Sequence, residues 1–448
     1  MGLIKRMYIG AATVLMGSAF SLLLATVNVV LVARLLEPTS FGYLSTLLAL
    51  CGILLIPTDF GGETTTAKLI SEQRFSVGKI ISTSFCIKIL ISSICIILYL
   101  LILMGTREHW DLSQSLFNLY LFIAPFLLIT ESFFRSGIGI FQGLKRADLM
   151  ALSEVSWRAF QLIFCIGLIL VGFGVFGAAA GYGLASLTVF LGGVFYYPKK
   201  PIGKPEKKIV QHFLKFSSYA FISLAMYTII LLTDILCISY FCPPEEVAYY
   251  NIAAKVSIFV LVIPAAIHAI LYPMISERYG LDDVESAREL YLSSIRAIFY
   301  SAGFAVIVLL ISSAWIIDMF LPMYQPALSP LYILVFAYFC GSFGYSYITL
   351  LNGWNHPHIS ARIAITQAVL NVAANLFLVP RYGYASAAFA SLASFLLGLV
   401  IGTISVKRLI GAHITLSTFV IKKSDLKEIK RYVAYFKEKT SSKEETGF

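Results

Sequence analysis

The residues of this chain with chemistry to offer are ionisable side chains set inside long apolar stretches. Lys255 stands in YYNIAAKVSIFV with no acid within one turn, while Lys88 and Arg158 each lie well inside an apolar run. Charge is costly to hold in such surroundings, so each is a functional candidate. Cations there would suit an anionic headgroup such as a diphosphate, through charge-assisted hydrogen bonds. Plainer readings stand beside this one. A long basic side chain near an interface can snorkel to the surface and do nothing more, which accounts for Lys88 equally well. Glu154 lies four residues before Arg158, a spacing that predicts an ion pair between them. Glu131 and Arg135 repeat the spacing. The two pairs could form an inner gate, or be two interfacial salt bridges each worth less than about 1 kcal/mol. Asp234 has no charged neighbour in sequence; its carboxyl could take a proton or a cation, or accept hydrogen bonds that hold helices together. Gln367, Asn371 and Asn375 form one helical stripe, which reads more readily as interhelical glue than as a ligand set. No catalytic residue, metal ligand or cofactor is assigned.

These groups are carried by an extremely apolar chain. Of 448 residues 58% are hydrophobic and 13% charged, the composition of a polytopic membrane protein. Twelve runs are long enough to cross a bilayer, at roughly 20 residues each: about 8–32, 41–58, 80–104, 114–135, 150–172, 175–197, 213–241, 248–275, 292–320, 328–352, 359–379 and 384–406. The first is too long for a signal-peptide core and reads as an uncleaved helix. The seven cysteines form no CxxC motif and no disulfide framework. No phosphate-loop motif occurs, so ATP hydrolysis by this chain is not expected.

Lysine and arginine set the expected orientation. With the N-terminus in the cytoplasm, the outer loops carry only Arg34, Arg107 and Arg381, Lys88, Arg158 and Lys255 lie within runs, and the remainder of the 34 fall inside. The net charge of +10 is therefore a topology signal, and nucleic acid is not an expected partner. Both termini are expected in the cytoplasm, and the protein in the cell's inner, cytoplasmic membrane.

The chain is also written twice. Gly143–Leu187 returns as Gly353–Leu396, and Val32–Leu44 as Ile238–Tyr250, with Pro38 on Pro244 and Asn28 on Asp234. The unit is a half of roughly 205 residues. Six runs per half is an even number, so the repeats are parallel. The expected fold is all-α, twelve transmembrane helices in two parallel six-helix repeats: residues 1–197 and 213–406, joined by a proline-stiffened linker at 198–212. A basic tail, 407–448, follows, with an amphipathic helix expected after Ser424, either lying in the membrane interface or solvated.

The blocks ARLLEPTSFGYLS, IFQGLKRADLMAL, GFGVFGAAAGYGLAS, LTDILCISYF followed by VAYYNIAAK, YPMISE and LVPRYGYASAAFASLAS resemble the polysaccharide transporter family over roughly residues 5–405. These are the Wzx-type flippases of the MOP superfamily, which also holds the MATE exporters and the lipid II flippases. The resemblance implies two six-helix lobes around a central cavity with alternating access. It implies as substrate an undecaprenyl-diphosphate-linked oligosaccharide, for an O-antigen, capsule, exopolysaccharide or teichuronic acid. Membrane lipids, and the polymerase and ligase of the same pathway, are the implied partners. Coupling would be to membrane potential, protons or Na+. It also implies that Lys255, Arg158 and Lys88 hold the diphosphate. A MATE-like cation-coupled antiporter and a membrane enzyme of polysaccharide assembly are the competing readings. Whether Lys255 and Arg158, or instead Asp234, face the cavity decides between the flippase and the antiporter.

Overall fold

The computed structural model describes residues 3–72, 74–105, 114–196 and 206–420, and among them every regular element is helical. α1 (Leu3–Leu35) leads into α2 (Pro38–Asp59), which opens on a proline where a missing N–H costs nothing. Pro57, inside α2, removes a backbone bond near its end, and Phe60 and Gly61 follow at φ 45° and 66°. The helix stops there and α3 (Gly62–Glu72) restarts at once. Asp59 and Glu63 thus flank a break within one apolar stretch, Pro38–Glu72, whereas the sequence reading ended this run at 58.

α4 (Val77–Gly105), α5 (Gln114–Gly143) and α6 (Ala147–Leu168) follow. A π-helical turn, Ile169–Phe173, separates α6 from α7 (Gly174–Val194), with Gly172 at φ 100°, a dihedral glycine takes without strain. α8 (Lys207–Phe241) begins inside the stretch assigned to the linker. α9 (Pro244–Ser257), a 3-10 turn at Ile258–Leu261 and α10 (Val262–Gly280) divide the eighth run into two helices. The chain continues through α11 (Val284–Phe320), α12 (Leu328–Ser342), α13 (Gly344–Gly353), α14 (Pro357–Tyr382) and α15 (Ala387–Ile410). Ten stretches of the described residues are long and apolar enough to cross a membrane. Dividing Ala147–Val194 at its break and counting α8, whose apolar end is Thr228–Phe241, gives the twelve expected. The chain is thus an all-α polytopic membrane protein. Residues 198–205 of the expected linker, and the tail helix expected after Ser424, lie outside the described residues.

The chain forms two compact units. One comprises Met1–Ser257, Ser312–Leu334 and Ala364–Ser394 and holds every candidate residue named above. In it α3, α4, α5 and α8 close on a core of Leu69, Ile70, Ile80, Ile140, Ile209 and Phe213. The other comprises Ile258–Ile311, Val335–Ile363 and Phe395–Phe448. There Ser294 bonds Ser346 at 2.9 Å, joining α11 to α13. The segment after α15 is strapped along α11: Arg288 Nε donates to the Ile410 carbonyl at 3.0 Å, and Arg296 Nη1 to that of Thr418 at 3.1 Å.

Candidate functional site

Helical spacing places Glu154, Trp157 and Arg158 on one face of α6. They line a cavity of about 350 Å³ with Ser21 of α1, Glu63 of α3 and Arg135 of α5. The Trp157 indole is fixed from two sides. Its Nε1 donates to Ser186 Oγ on α7 at 2.9 Å, and the Phe134 ring lies 4.9 Å away at 31°. Arg158 lays its guanidinium over that indole, 4.0 Å from the ring centroid, and donates to Gln161 Oε1 at 3.0 Å. The expected Arg158–Glu154 ion pair is therefore not made. A guanidinium also stacks on aromatic faces, and here it lies over Trp157. Among the described residues Arg158 bonds no carboxylate, and Glu154 no cation.

The Glu131–Arg135 pair does form, at 3.1 Å, and Arg135 also approaches Glu63 at 3.9 Å. The two pairs imagined as a gate are in fact one pair, one neighbouring acid and one guanidinium left to its indole. Two further groups at the cavity are unclaimed. Ser21 is only 6% exposed, yet among the described residues its hydroxyl has no partner, and neither has Arg135 Nε.

Lys88 neither snorkels nor lines the cavity. It is buried at 4%, donating to Asp59 Oδ1 at 2.6 Å and to the Ser132 carbonyl at 2.7 Å. An ion pair this deep offsets its own desolvation with little to spare, but losing one partner strands a charge and costs about 3–5 kcal/mol.

Lys255 is exposed on α9 and is not among the residues that line this cavity. Arg158 is near enough for the two like charges to act on one another. Among the described residues no carboxylate pairs with Lys255.

Asp234 on α8 is 3% exposed and accepts from four side chains. Asn375 Nδ2 reaches its Oδ1 at 2.7 Å and Asn371 Nδ2 at 3.1 Å; Ser391 Oγ reaches Oδ2 at 2.6 Å, beside the Tyr250 hydroxyl. Four helices are tied through one carboxylate. Among the described residues its repeat partner Asn28 makes one long side-chain bond, from Nδ2 to the Tyr182 hydroxyl, at 3.5 Å.

α2 and α9, repeat equivalents, lie against each other along their length. Thr39 Oγ1 donates to Glu245 Oε1 at 2.5 Å, and Asn251 Nδ2 to Ser45 Oγ at 2.7 Å. Both bonds join positions 206 apart, the repeat offset itself. Residues that meet their own equivalents lie on the local two-fold axis. Between these bonds the backbones touch: a Cβ at Gly42 would stand 1.8 Å from the Pro244 carbonyl oxygen.

The sequence reading missed Asp59, Glu63, Ser21 and Trp157. The two acids fall just beyond the run at 41–58, outside any apolar stretch that the sequence marks. The Pro57–Asp59–Phe60–Gly61 cluster was the available sign that the run continues past a break.

The fold matches solved transporters. An inward-facing multidrug resistance MATE family transporter of the MOP superfamily superposes with a TM-score of 0.74, at 17% identity over 87% of this chain and 95% of that one. A Haloferax volcanii protein named "Probable low-salt glycan biosynthesis flippase Agl15" is 24% identical over 375 residues, 82% of this chain and 77% of that protein. A second from the same organism, "Probable flippase AglR", is 23% identical over 61% of this chain and 58% of its own length. The MatE family matches residues 220–377. The family described as polysaccharide biosynthesis protein matches residues 9–278, more than half of the chain, and the chain belongs to it.

Proposed function

We propose that the protein is a flippase that carries a lipid-diphosphate-linked oligosaccharide, such as an undecaprenyl-linked precursor, across the cytoplasmic membrane from inner to outer leaflet, with both termini in the cytoplasm. The observation that carries this is the inverse placement of cations and acid. Arg158 lines the cavity with no carboxylate bonded to it, and Lys255 is accessible nearby. Asp234, which a cation exporter would want exposed, is sealed by four donors. Membership of a polysaccharide biosynthesis family and the flippase names of two relatives support the same reading. Two acids, Glu63 and Glu154, also line the cavity, and Glu154, which pairs with no cation among the described residues, is what favours the MATE-like alternative.

No chemical step is needed. A diphosphate with about two negative charges moves outward down a membrane potential that is negative inside, gaining roughly 4.6 kcal/mol at 100 mV. The barrier is carrying that headgroup past hydrocarbon. Arg158 and Lys255 lower it by replacing water around the phosphates, a guanidinium giving two parallel bonds and an ammonium a compact charge.

In proteoliposomes with a fluorescent lipid-diphosphate oligosaccharide, Lys255→Ala and Arg158→Ala should each slow flipping at least about tenfold, with Lys255→Arg retaining part of the rate. Collapsing the potential should slow the unaltered protein. Unchanged flipping by both alanine variants at matched protein levels would refute the assignment.

A further inference from the structure

The enclosure around Asp234 has a counterpart in the first repeat, and the two are built differently. The register that sets Asn28 on Asp234 also sets Gln161 on Asn371, Cys165 on Asn375 and Tyr182 on Ser391. In the second repeat these positions are joined, since Asn371, Asn375 and Ser391 all donate to one carboxylate. In the first repeat they stand apart. Asn28 is 1% exposed and reaches Tyr182 only at 3.5 Å, and among the described residues its Oδ1 has no partner. Cys165 donates elsewhere, to the Ala178 carbonyl at 3.2 Å. Gln161 is buried beside the Tyr182 hydroxyl, yet its Oε1 accepts from Arg158 at 3.0 Å. The place of Arg158 is taken in the second repeat by Ala368, which cannot draw Asn371 away. A buried acceptor without a donor is uncommon, because leaving its bond unmade is costly.

We propose that Gln161 is a positioning residue for Arg158 and the moving part of a latch between the cavity and α1. Gln161 and the Trp157 ring together hold the guanidinium. An anion in the cavity draws Arg158 onto its oxygens, because a guanidinium bonds a phosphate bidentately and an amide oxygen singly. The released Gln161 amide then accepts from the Tyr182 hydroxyl through Oε1 and donates to Asn28 Oδ1 through Nε2. α1, α6 and α7 are thereby tied to one another, as α8, α14 and α15 are through Asp234. Occupancy of the site is converted into closer packing of three helices. The bond to Asn28 exists only with the anion bound, so it adds to anion affinity and biases the protein toward the tied arrangement. The polar groups of the first repeat serve as a switch where those of the second are a fixed knot.

This rests on reading Arg158 as an anion site, and the test separates the two. The full-length protein is placed in nanodiscs with Trp110, Trp315 and Trp354 changed to Phe, so that Trp157, under the guanidinium, reports the departure of Arg158. Farnesyl diphosphate, a lipid diphosphate without a sugar, is titrated and should shift Trp157 emission saturably. Asn28→Leu and Tyr182→Phe should each weaken its binding about fivefold. In a Gln161→Leu background the same two substitutions should have no further effect, since the latch has lost its moving part. Thermal melts without ligand should show no coupling between positions 28 and 161, whereas a merely structural contact would couple them with or without ligand. Tyr182→Phe keeps the ring, so the cycle stands even where Asn28→Leu fails to accumulate. Unchanged affinity in Tyr182→Phe, or a loss that persists undiminished in Gln161→Leu, overturns the latch and leaves the anion site standing. No saturable response to farnesyl diphosphate in the protein with Asn28, Gln161 and Tyr182 intact overturns the anion site and the latch with it.

Discussion

Gly42 offers a sharp test of how the α2–α9 seam works. Replacing it with alanine places a methyl group 1.8 Å from the Pro244 carbonyl oxygen and 2.5 Å from its carbon, where an ordinary contact begins at 3.4 Å. Both obstacles are backbone, so no rotamer change relieves the overlap. The two helices must part by about 1.5 Å at this point, an overpacking that costs about 1–3 kcal/mol. The flanking Thr39–Glu245 and Ser45–Asn251 bonds are stretched with it. The alternating access that the family resemblance implies would close the seam in one state and part it in the other. The cost then falls on the closed state alone, and 1–3 kcal/mol of differential free energy shifts the balance about 5–150-fold. The reporter is a single cysteine at Ala248, fully buried on α9, in an otherwise cysteine-free background. Gly42→Ala should raise its labelling rate by an impermeant thiol reagent at least about fivefold. Two results refute the reasoning: an unchanged labelling rate in a normally expressed protein, or failure of Gly42→Ala to accumulate at all, which would make the seam a static packing contact.

Three further outcomes are expected. Lys88→Met or Asp59→Leu alone should lose about 3–5 kcal/mol of stability, and the double variant should recover much of it, read from thermal melts in detergent. Asp234→Asn keeps a hydrogen-bonding group at the centre of its four donors. If Asp234 couples a proton or cation, this variant should fold normally and lose the ion dependence of transport in vesicles; failure to reach the membrane would instead assign the residue to helix packing. Asp283 caps α11, accepting from the Ser286 N–H at 3.0 Å, and its bonds to Ser286 and the nearby Arg278 hold its carboxyl below the usual range. The depressed value means the cap stabilises fully above the ordinary aspartate pKa of about 3.9 and is lost as pH falls through the lower native value. Asp283→Ala should therefore lower the melting temperature at neutral pH and flatten its dependence on pH at the acid end.

The membrane class and the repeat could be read from the sequence because both are written in long periodic patterns that local interruptions do not erase. The site was legible only where a partner lay within a helical turn, as Glu131 and Arg135 do. Spacing says which residues can meet but not which other claimants are present. Arg158 was assigned to Glu154 because the indole at Trp157 was not counted as a rival. Lys88 was left undecided because its partner Asp59 comes from another helix, 29 residues away. The bonds that bury Asp234 come from residues up to 157 positions distant, and no local pattern announces a carboxylate enclosed in this way.

The contact between α2 and α9 has a consequence for how such a chain can arise. Thr39 touches Glu245 and Ser45 touches Asn251, so each bond joins two positions that hold the same place in the two repeats. In a symmetric dimer of half-length chains, each of these sites would have faced a copy of itself. Threonine can face threonine, but glutamate facing glutamate sets two carboxylates together and favours protonating one of them. A homodimer is therefore confined at its axis to residues that tolerate their own image. Once both halves are encoded in one gene, a donor can be placed on one side and its acceptor on the other. A chain that carries both repeats is free of that self-complementarity, and the Thr–Glu and Asn–Ser pairs are bonds between unlike partners that an exact dimer could not make at the same positions.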